Sequence, residues 1–324
     1  MAEGGARIGL VLGAGGVAGG AFHAGVLAAL VEATGWDPRR AEVVVGTSAG
    51  AIAGASLRAG LPATDLLASA QDRPLSAEGQ RVLRRVGPLR PPPTTRAPRQ
   101  GRSPAELAAT LARAVRRPLA ARPWSLVAAL LPEGSVSTDM ISGGIAGLFP
   151  DTWPAESLWI CAVRQADGRR VVFGSRDQRP RVADAVAASC AIPGFFSPVE
   201  VAGQPHIDGG VHSPTNADVL LDAVPLDVVL VSSPMSRQGR RPRLAADQGM
   251  RAWSGALLDA EALRLRRRGV PVVAFQPDDG VLAAMGLNAM DPSRRSAIAA
   301  EARGSALRKL GRADVAERIQ VLGS

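Results

Sequence analysis

Ser48 stands at the centre of the pentapeptide Gly46-Thr47-Ser48-Ala49-Gly50, with Val43-Val44-Val45 before it and small helix-forming residues after it. A buried strand that turns sharply into a helix leaves its apical serine on a strained turn with the hydroxyl exposed, and Gly46 and Gly50 let the two segments approach closely. The N–H groups that follow open a helix, where negative charge is favoured. That geometry suits a nucleophile for acyl transfer. By itself the pentapeptide is equally compatible with Ser48 acting only as a helix N-cap.

A second glycine cluster, Gly13-Ala14-Gly15-Gly16-Val17-Ala18-Gly19-Gly20, joins the first apolar run to the first helical pattern. The N–H groups of Gly15, Gly16 and Val17 can converge there on an anion. Gly13, Gly15 and Ala18 also fit a GxGxxG/A dinucleotide fingerprint, which requires an acid at the end of the next strand to hold a ribose. That strand ends in Gly46-Thr47-Ser48 instead, while Glu32 falls in a helix, Asp37 in a turn and Glu42 at the wrong end of the strand. Nucleotide binding is therefore the minor alternative, and the cluster reads better as an oxyanion hole beside Ser48.

A nucleophilic serine needs a base. The three histidines are His23, in the first helix, and His206 and His212, on either side of Asp208-Gly209-Gly210. An ordinary α/β-hydrolase carries its nucleophile after several strands and orders its triad Ser, acid, His, whereas Ser48 follows only the second strand. Asp208 remains, at a hairpin tip followed by glycines that allow close backbone approach. His206 and His212 are readable either as assisting groups or as hairpin and loop histidines.

These residues need a scaffold, and the hydrophobic pattern supplies one. Segments 7–13 and 41–46 read as buried strands, 20–33 and 49–60 as helices, the latter ended by Gly60 with Pro62 beyond. Strand and helix alternating through short connections predict an α/β fold, three-layered α/β/α with a mainly parallel central sheet. After Pro154 come two strands around an Ala-Asp-Gly turn, a short helix before Pro193-Gly194, a tight hairpin ending at Asp208, strands at 225–233 and 269–277 with a helix between them, and a last amphipathic helix over 293–310. The whole is expected to be one domain, 1–324, with its core in 7–70 and 136–324. Between these, about 72–135 is a Pro- and Arg-rich insertion followed by helical patterns at 103–117 and 124–131, equally readable as a lid over a site or a solvated linker.

The net charge of +9 rests almost wholly on arginine, Lys309 being the lone lysine. Such an excess favours anionic surfaces, lipid headgroups or nucleic acid, but arginine preference beside abundant Ala, Gly and Pro reads better as the composition of the source genome. Aromatics at 3%, with no tyrosine, argue against nucleic acid, since no basic stripe carries rings for base stacking. Cys161 and Cys190 lie in apolar contexts and read as reduced core thiols. No apolar run is seen to approach the roughly 18 residues of a membrane span, and the N-terminal run enters a glycine loop rather than a cleavage site. A cytoplasmic protein, touching membranes peripherally at most, is expected, with no metal and no cofactor.

Together, Gly13–Gly19, Gly46–Gly50 and His206-Ile207-Asp208-Gly209-Gly210, in this order and spacing, resemble the patatin-like phospholipase family, marked by a GGGxxG loop, a GxSxG elbow and a late DGG or DGA. The resemblance covers 7–60 and about 155–235. It implies a Ser48–Asp208 dyad without histidine, an oxyanion hole from Gly15, Gly16 and Val17, motif glycines Gly19, Gly46, Gly50, Gly209 and Gly210, and an acyl lipid as substrate. Two positions depart from the pattern: Ala14 replaces the first loop glycine, and Ala18 replaces a common basic residue. Lipid acyltransfer, or a regulatory protein on the same fold, are the alternatives to hydrolysis.

Overall fold

The structure, a computed structural model, describes residues 5–86, 134–149, 152–175, 178–238 and 248–323. Eight strands form one sheet: β1 (Ile8–Leu12), β2 (Val43–Thr47), β3 (Ser157–Arg164), β4 (Arg170–Phe173), β5 (Val199–Val201), β6 (Gln204–Asp208), β7 (Val228–Ser232) and β8 (Val272–Phe275). Strands β3, β2, β1, β7 and β8 lie side by side and parallel. The sheet is thus mainly parallel, with β4 and β6 antiparallel to β3 and β5 hairpinned to β6.

Both faces of the central strands are buried, which is why they read as continuous apolar runs. Ile8, Leu10 and Leu12 of β1 face one core while Val11 faces the other; in β7, Val228 and Leu230 oppose Val229 and Val231 in the same way. Helices α1 (Gly16–Thr34) and α2 (Ala49–Arg58), with Val182–Ser189 and Arg295–Leu310, cover the first face. Leu258, Ala262 and Leu265 of the helix Gln248–Arg267 cover the second. This is the three-layer α/β/α arrangement expected from the sequence.

Strand β3 joins the parallel strands to the antiparallel ones. Ile160 and Cys161 pair with both β2 and β4, and Ala162 and Val163 with both β4 and β6. A strand has only two edges, so β2 and β6 must share the one opposite β4. They meet there end to end: Thr47 is registered on Cys161 and Asp208 on Ala162.

Several expectations need amendment. Helix α1 begins at Gly16, not near residue 20, and Arg295–Leu310 is followed by one more helix, Ala313–Ile319. Helix α1 does have the length and apolar composition of a membrane span, contrary to the run counted from sequence; two thirds of it is buried in this fold. Its Gly25 lies so near the helix Arg295–Leu310 that a Cβ would strike the Ala299 carbonyl, fitting a core helix. The helical patterns at 103–117 and 124–131 lie outside the described residues.

Candidate active site

Strand β2 ends at Thr47 and α2 opens at Ala49, leaving Ser48 to make the turn at φ 54°, ψ −119°. A non-glycine residue there is strained, and the surroundings hold it. The Ser48 N–H donates to the Ser189 Oγ at 2.9 Å, and that hydroxyl donates in turn to the Cys161 carbonyl at 2.6 Å. Gly50 packs where a Cβ would collide with the Leu12 carbonyl, so α2 can rise directly over β1.

Asp208 ends β6, its N–H held by the Ala191 carbonyl at 2.9 Å and its Oδ1 accepting from the Gly210 N–H at 2.7 Å. Burial raises its pKa from 3.8 to about 6, against the opposing pull of the Gly210 N–H and the Ser48 hydroxyl. Behind the pair sits Cys190, its thiol pushed up by burial and by the Asp208 charge. It is protonated at neutral pH and offers no competing thiolate.

The glycine loop is bolted on several sides. Gly13 N–H donates to the Ser232 carbonyl at 2.9 Å and Ala14 N–H to the Pro214 carbonyl at 2.8 Å. His23, fully buried, places Nε2 at 2.7 Å from the Gly13 carbonyl and Nδ1 at 2.8 Å from the Ser232 hydroxyl. Nε2 must carry the proton to meet a carbonyl, so Nδ1 accepts from the serine. Burial lowers the His23 pKa to about 4 and keeps the ring neutral. Ala14 avoids positive φ, so its departure from glycine is accommodated, whereas Gly16 takes φ +60°. The Ala18 N–H is taken by the Ala289 carbonyl at 2.9 Å, and among the described residues no acceptor meets the N–H of Gly15, Gly16 or Val17.

A cleft of ≈ 410 Å³ brings Ser48, Asp208, Gly15, Gly16 and Gly210 to one wall; Val17, Gly19, Gly46, Gly50 and Gly209 lie outside its lining. Met235, Met250, Met285 and Met290, four of the six methionines in the chain, line the remainder with Trp253 and Leu287. Asp208 and Arg251 are the charged side chains of the lining. Neither His206 nor His212 reaches it: His206 is held by the Gln204 carbonyl at 2.8 Å and packs edge-on against Phe173. Among the described residues no cluster of His, Cys, Asp and Glu could hold a metal. The arrangement joins a strained hydroxyl, a buried carboxylate of raised basicity, open N–H groups at a helix start and an apolar cleft.

The patatin-like phospholipase family model matches residues 10–221, which is more than half of the chain. The chain belongs to the patatin-like phospholipase family. No curated protein sequence matches it. Solved structures similar to this patatin-like chain include VipD from Legionella pneumophila, at 13% identity and TM-score 0.41 over 94% of this chain and 66% of that one. The type III effector ExoU matches at 16% and 0.39 over 98% and 54%. Human group IVD cytosolic phospholipase A2, solved with a linolenyl fluorophosphonate, matches at 13% and 0.36 over 98% and 59%. The patatin-like chain thus spans between about half and two thirds of those proteins.

Sequence reasoning missed Ser189, His23, Asn216 and the methionine wall. Ser189 lay within an alanine-rich helix and the methionines were scattered, so only tertiary packing reveals them. Asn216 had a local signal, its place eight residues after Asp208 in the same loop, but no chemistry of its own to suggest a role.

Proposed function

We propose that the protein is a serine lipid acyl hydrolase that cleaves carboxylic esters of phospholipids or other acyl lipids. One observation carries the reading: a strained serine hydroxyl faces a buried aspartate whose pKa is raised to about 6. At neutral pH such a carboxylate is mostly ionised yet more basic than an exposed one. Ser48 Oγ attacks the ester carbonyl carbon while its proton passes to Asp208. The Gly15 and Gly16 N–H groups, with Val17 as a third donor, hold the oxyanion. Collapse expels the alcohol, which takes the proton from Asp208. Water, deprotonated by Asp208, then attacks the acyl-Ser48 ester, and as the fatty acid leaves, Asp208 returns that proton to Ser48 Oγ.

The methionine wall suits an acyl chain, because thioether side chains adapt to irregular apolar shapes. Anionic membrane surfaces are the proposed place of work, on the strength of the arginine excess, and a reducing, cytoplasmic setting fits two buried free thiols. A fluorophosphonate probe tests the reading. The adduct is expected on Ser48, and label persisting in Ser48→Ala would remove the assignment. Fatty-acid release with added lipid alcohol separates hydrolysis from acyltransfer, while an unlabelled, inactive wild type would leave a regulatory protein on the same fold.

A further inference from the structure

Strands β2 and β6 deliver Ser48 and Asp208, yet they share no ladder with each other. Each is hydrogen-bonded to β3, and their ends abut over Cys161 and Ala162. Register on β3 places the two ends, but no β2–β6 ladder bond ties one directly to the other. Gly209 fits into it so closely that a Cβ would collide with the Cys161 carbonyl.

Asn216 spans this joint. Its side chain is fully buried, and its Nδ2 lies 3.1 Å from Thr47 Oγ1, 3.4 Å from the Gly209 carbonyl and 2.6 Å from the Ser213 carbonyl. Two carbonyls on one side and the Arg170 guanidinium, 3.2 Å from Oδ1, on the other leave the amide a single orientation. Thr47 immediately precedes Ser48, and Gly209 immediately follows Asp208. The backbone of Asn216 sits in the left-handed region at φ 52°, ψ 30°, which asparagine tolerates better than most residues.

The clamp has its own foundation. Ser213 Oγ and Thr215 Oγ1 each donate to the buried Glu261 carboxylate at 2.6 Å, and the Ala217 N–H donates to it at 2.8 Å. The turn that carries Asn216 is thereby fastened to the helix Gln248–Arg267, on the face of the sheet away from α1 and α2.

We infer that Asn216 is a positioning residue which sets the distance between the Ser48 hydroxyl and the Asp208 carboxylate by tying the residue before one to the residue after the other. The inference rests on the assignment of Ser48 as nucleophile and Asp208 as base. Acyl transfer depends steeply on such spacing: a misplacement of about 1 Å costs on the order of 10²-fold in rate. The cleft walls that meet an acyl chain come largely from other segments, so substrate binding is insulated from the clamp.

Thr47→Val removes the acceptor on β2 while keeping a β-branched side chain, and Thr47→Ser keeps the oxygen. Asn216→Gly removes the amide and accepts the left-handed backbone. On a soluble short-chain ester, Thr47→Val and Asn216→Gly are each expected to lower kcat roughly 10- to 100-fold with KM within about twofold. The double variant falls no further than the worse single one, and Thr47→Ser restores the rate. Because the Ser48 hydroxyl holds the Asp208 pKa down, loosening the pair also moves the acid limb of kcat/KM to higher pH, which loss of stability alone would not do. Thermal unfolding of each variant at the assay pH identifies those that remain folded. If folded Thr47→Val and Asn216→Gly both keep the wild-type kcat and acid limb, or their losses multiply in the double variant, the clamp is overturned. A wild type that takes no fluorophosphonate on Ser48 would instead overturn the hydrolase reading itself.

Discussion

Thr47 and Asp208 are registered on Cys161 and Ala162, consecutive residues of β3, so the ends of two strands far apart in sequence meet on one strand edge. The nucleophile candidate follows the first of them directly, and the base candidate is the second. Proximity here is a property of strand pairing.

Replacing the Asp208 carboxylate with an amide keeps its shape and the contact with the Gly210 N–H but removes a proton acceptor. Asp208→Asn is therefore expected to fold normally and lose about 10²-fold or more in turnover, the scale of general-base removal. His206→Ala and His212→Ala, whose side chains lie outside the cleft, should stay within a few-fold of wild type. Steady-state kinetics on a soluble ester compare all three. A histidine variant more damaging than Asp208→Asn would favour a histidine-dependent mechanism.

The proposed mechanism requires Asp208 ionised, and its pKa is raised to about 6. The kcat/KM profile of the wild type should therefore climb with pH through an acid limb near pH 6, roughly two units above an ordinary aspartate. A limb near pH 4 would show that the carboxylate is hydrated in solution.

His23 is neutral in the fold, with its pKa lowered from 6.5 to about 4. Between those values the unfolded chain binds a proton that the folded chain refuses, so stability falls as pH drops from about 6.5 to 4. The full shift corresponds to on the order of 3 kcal/mol. Asp208 acts in the opposite sense, because its raised pKa makes the folded chain bind a proton first between about 3.8 and 6. Chemical denaturation of wild type and His23→Gln across this range cancels the Asp208 contribution common to both. The wild type should lose more stability on acidification than the variant, and parallel curves would contradict the assignment.

Gly16 adopts φ +60°, and a Cβ there would stand 2.8 Å from the Met290 Sδ and 3.1 Å from the Ala289 carbonyl. Gly16→Ala is expected to shift the loop and slow both turnover and fluorophosphonate labelling by about 10²-fold, the cost of losing an oxyanion donor. Far-ultraviolet circular dichroism should show the fold intact. Unchanged labelling would place the oxyanion elsewhere.

Residues 88–132 contain eight arginines and one acidic residue, Glu106. If they lay charge on anionic headgroups, replacing them by a short Gly/Ser linker should leave hydrolysis of a soluble ester in place while activity on anionic vesicles falls and loses its salt sensitivity. Equal effects on both substrates would mark the segment as a linker.

Much of the scaffold was legible because its signals are local. Runs such as Val43-Val44-Val45 announce strands buried on both faces, and Gly60 with Pro62 ends a helix within a few residues. Ser48 and the glycine loop were legible for the same reason, each being a strand-to-helix turn. The start of α1 was not, since Gly16, Gly19 and Gly20 resemble loop residues until the Gly19 N–H is seen to donate to the Gly15 carbonyl at 2.8 Å.

The sequence by itself determined the layer order and offered Ser48, Asp208 and the loop glycines as candidates, because turn chemistry and hydrophobic period are written in neighbouring residues. Only the tertiary structure decided how these pieces confront one another. The shared edge of β3 sets Ser48 against Asp208, burial lifts one pKa and lowers another, and Asn216 bridges two strand ends that never pair. Each depends on distance and solvent exclusion between residues remote in the chain, and no local pattern encodes either quantity.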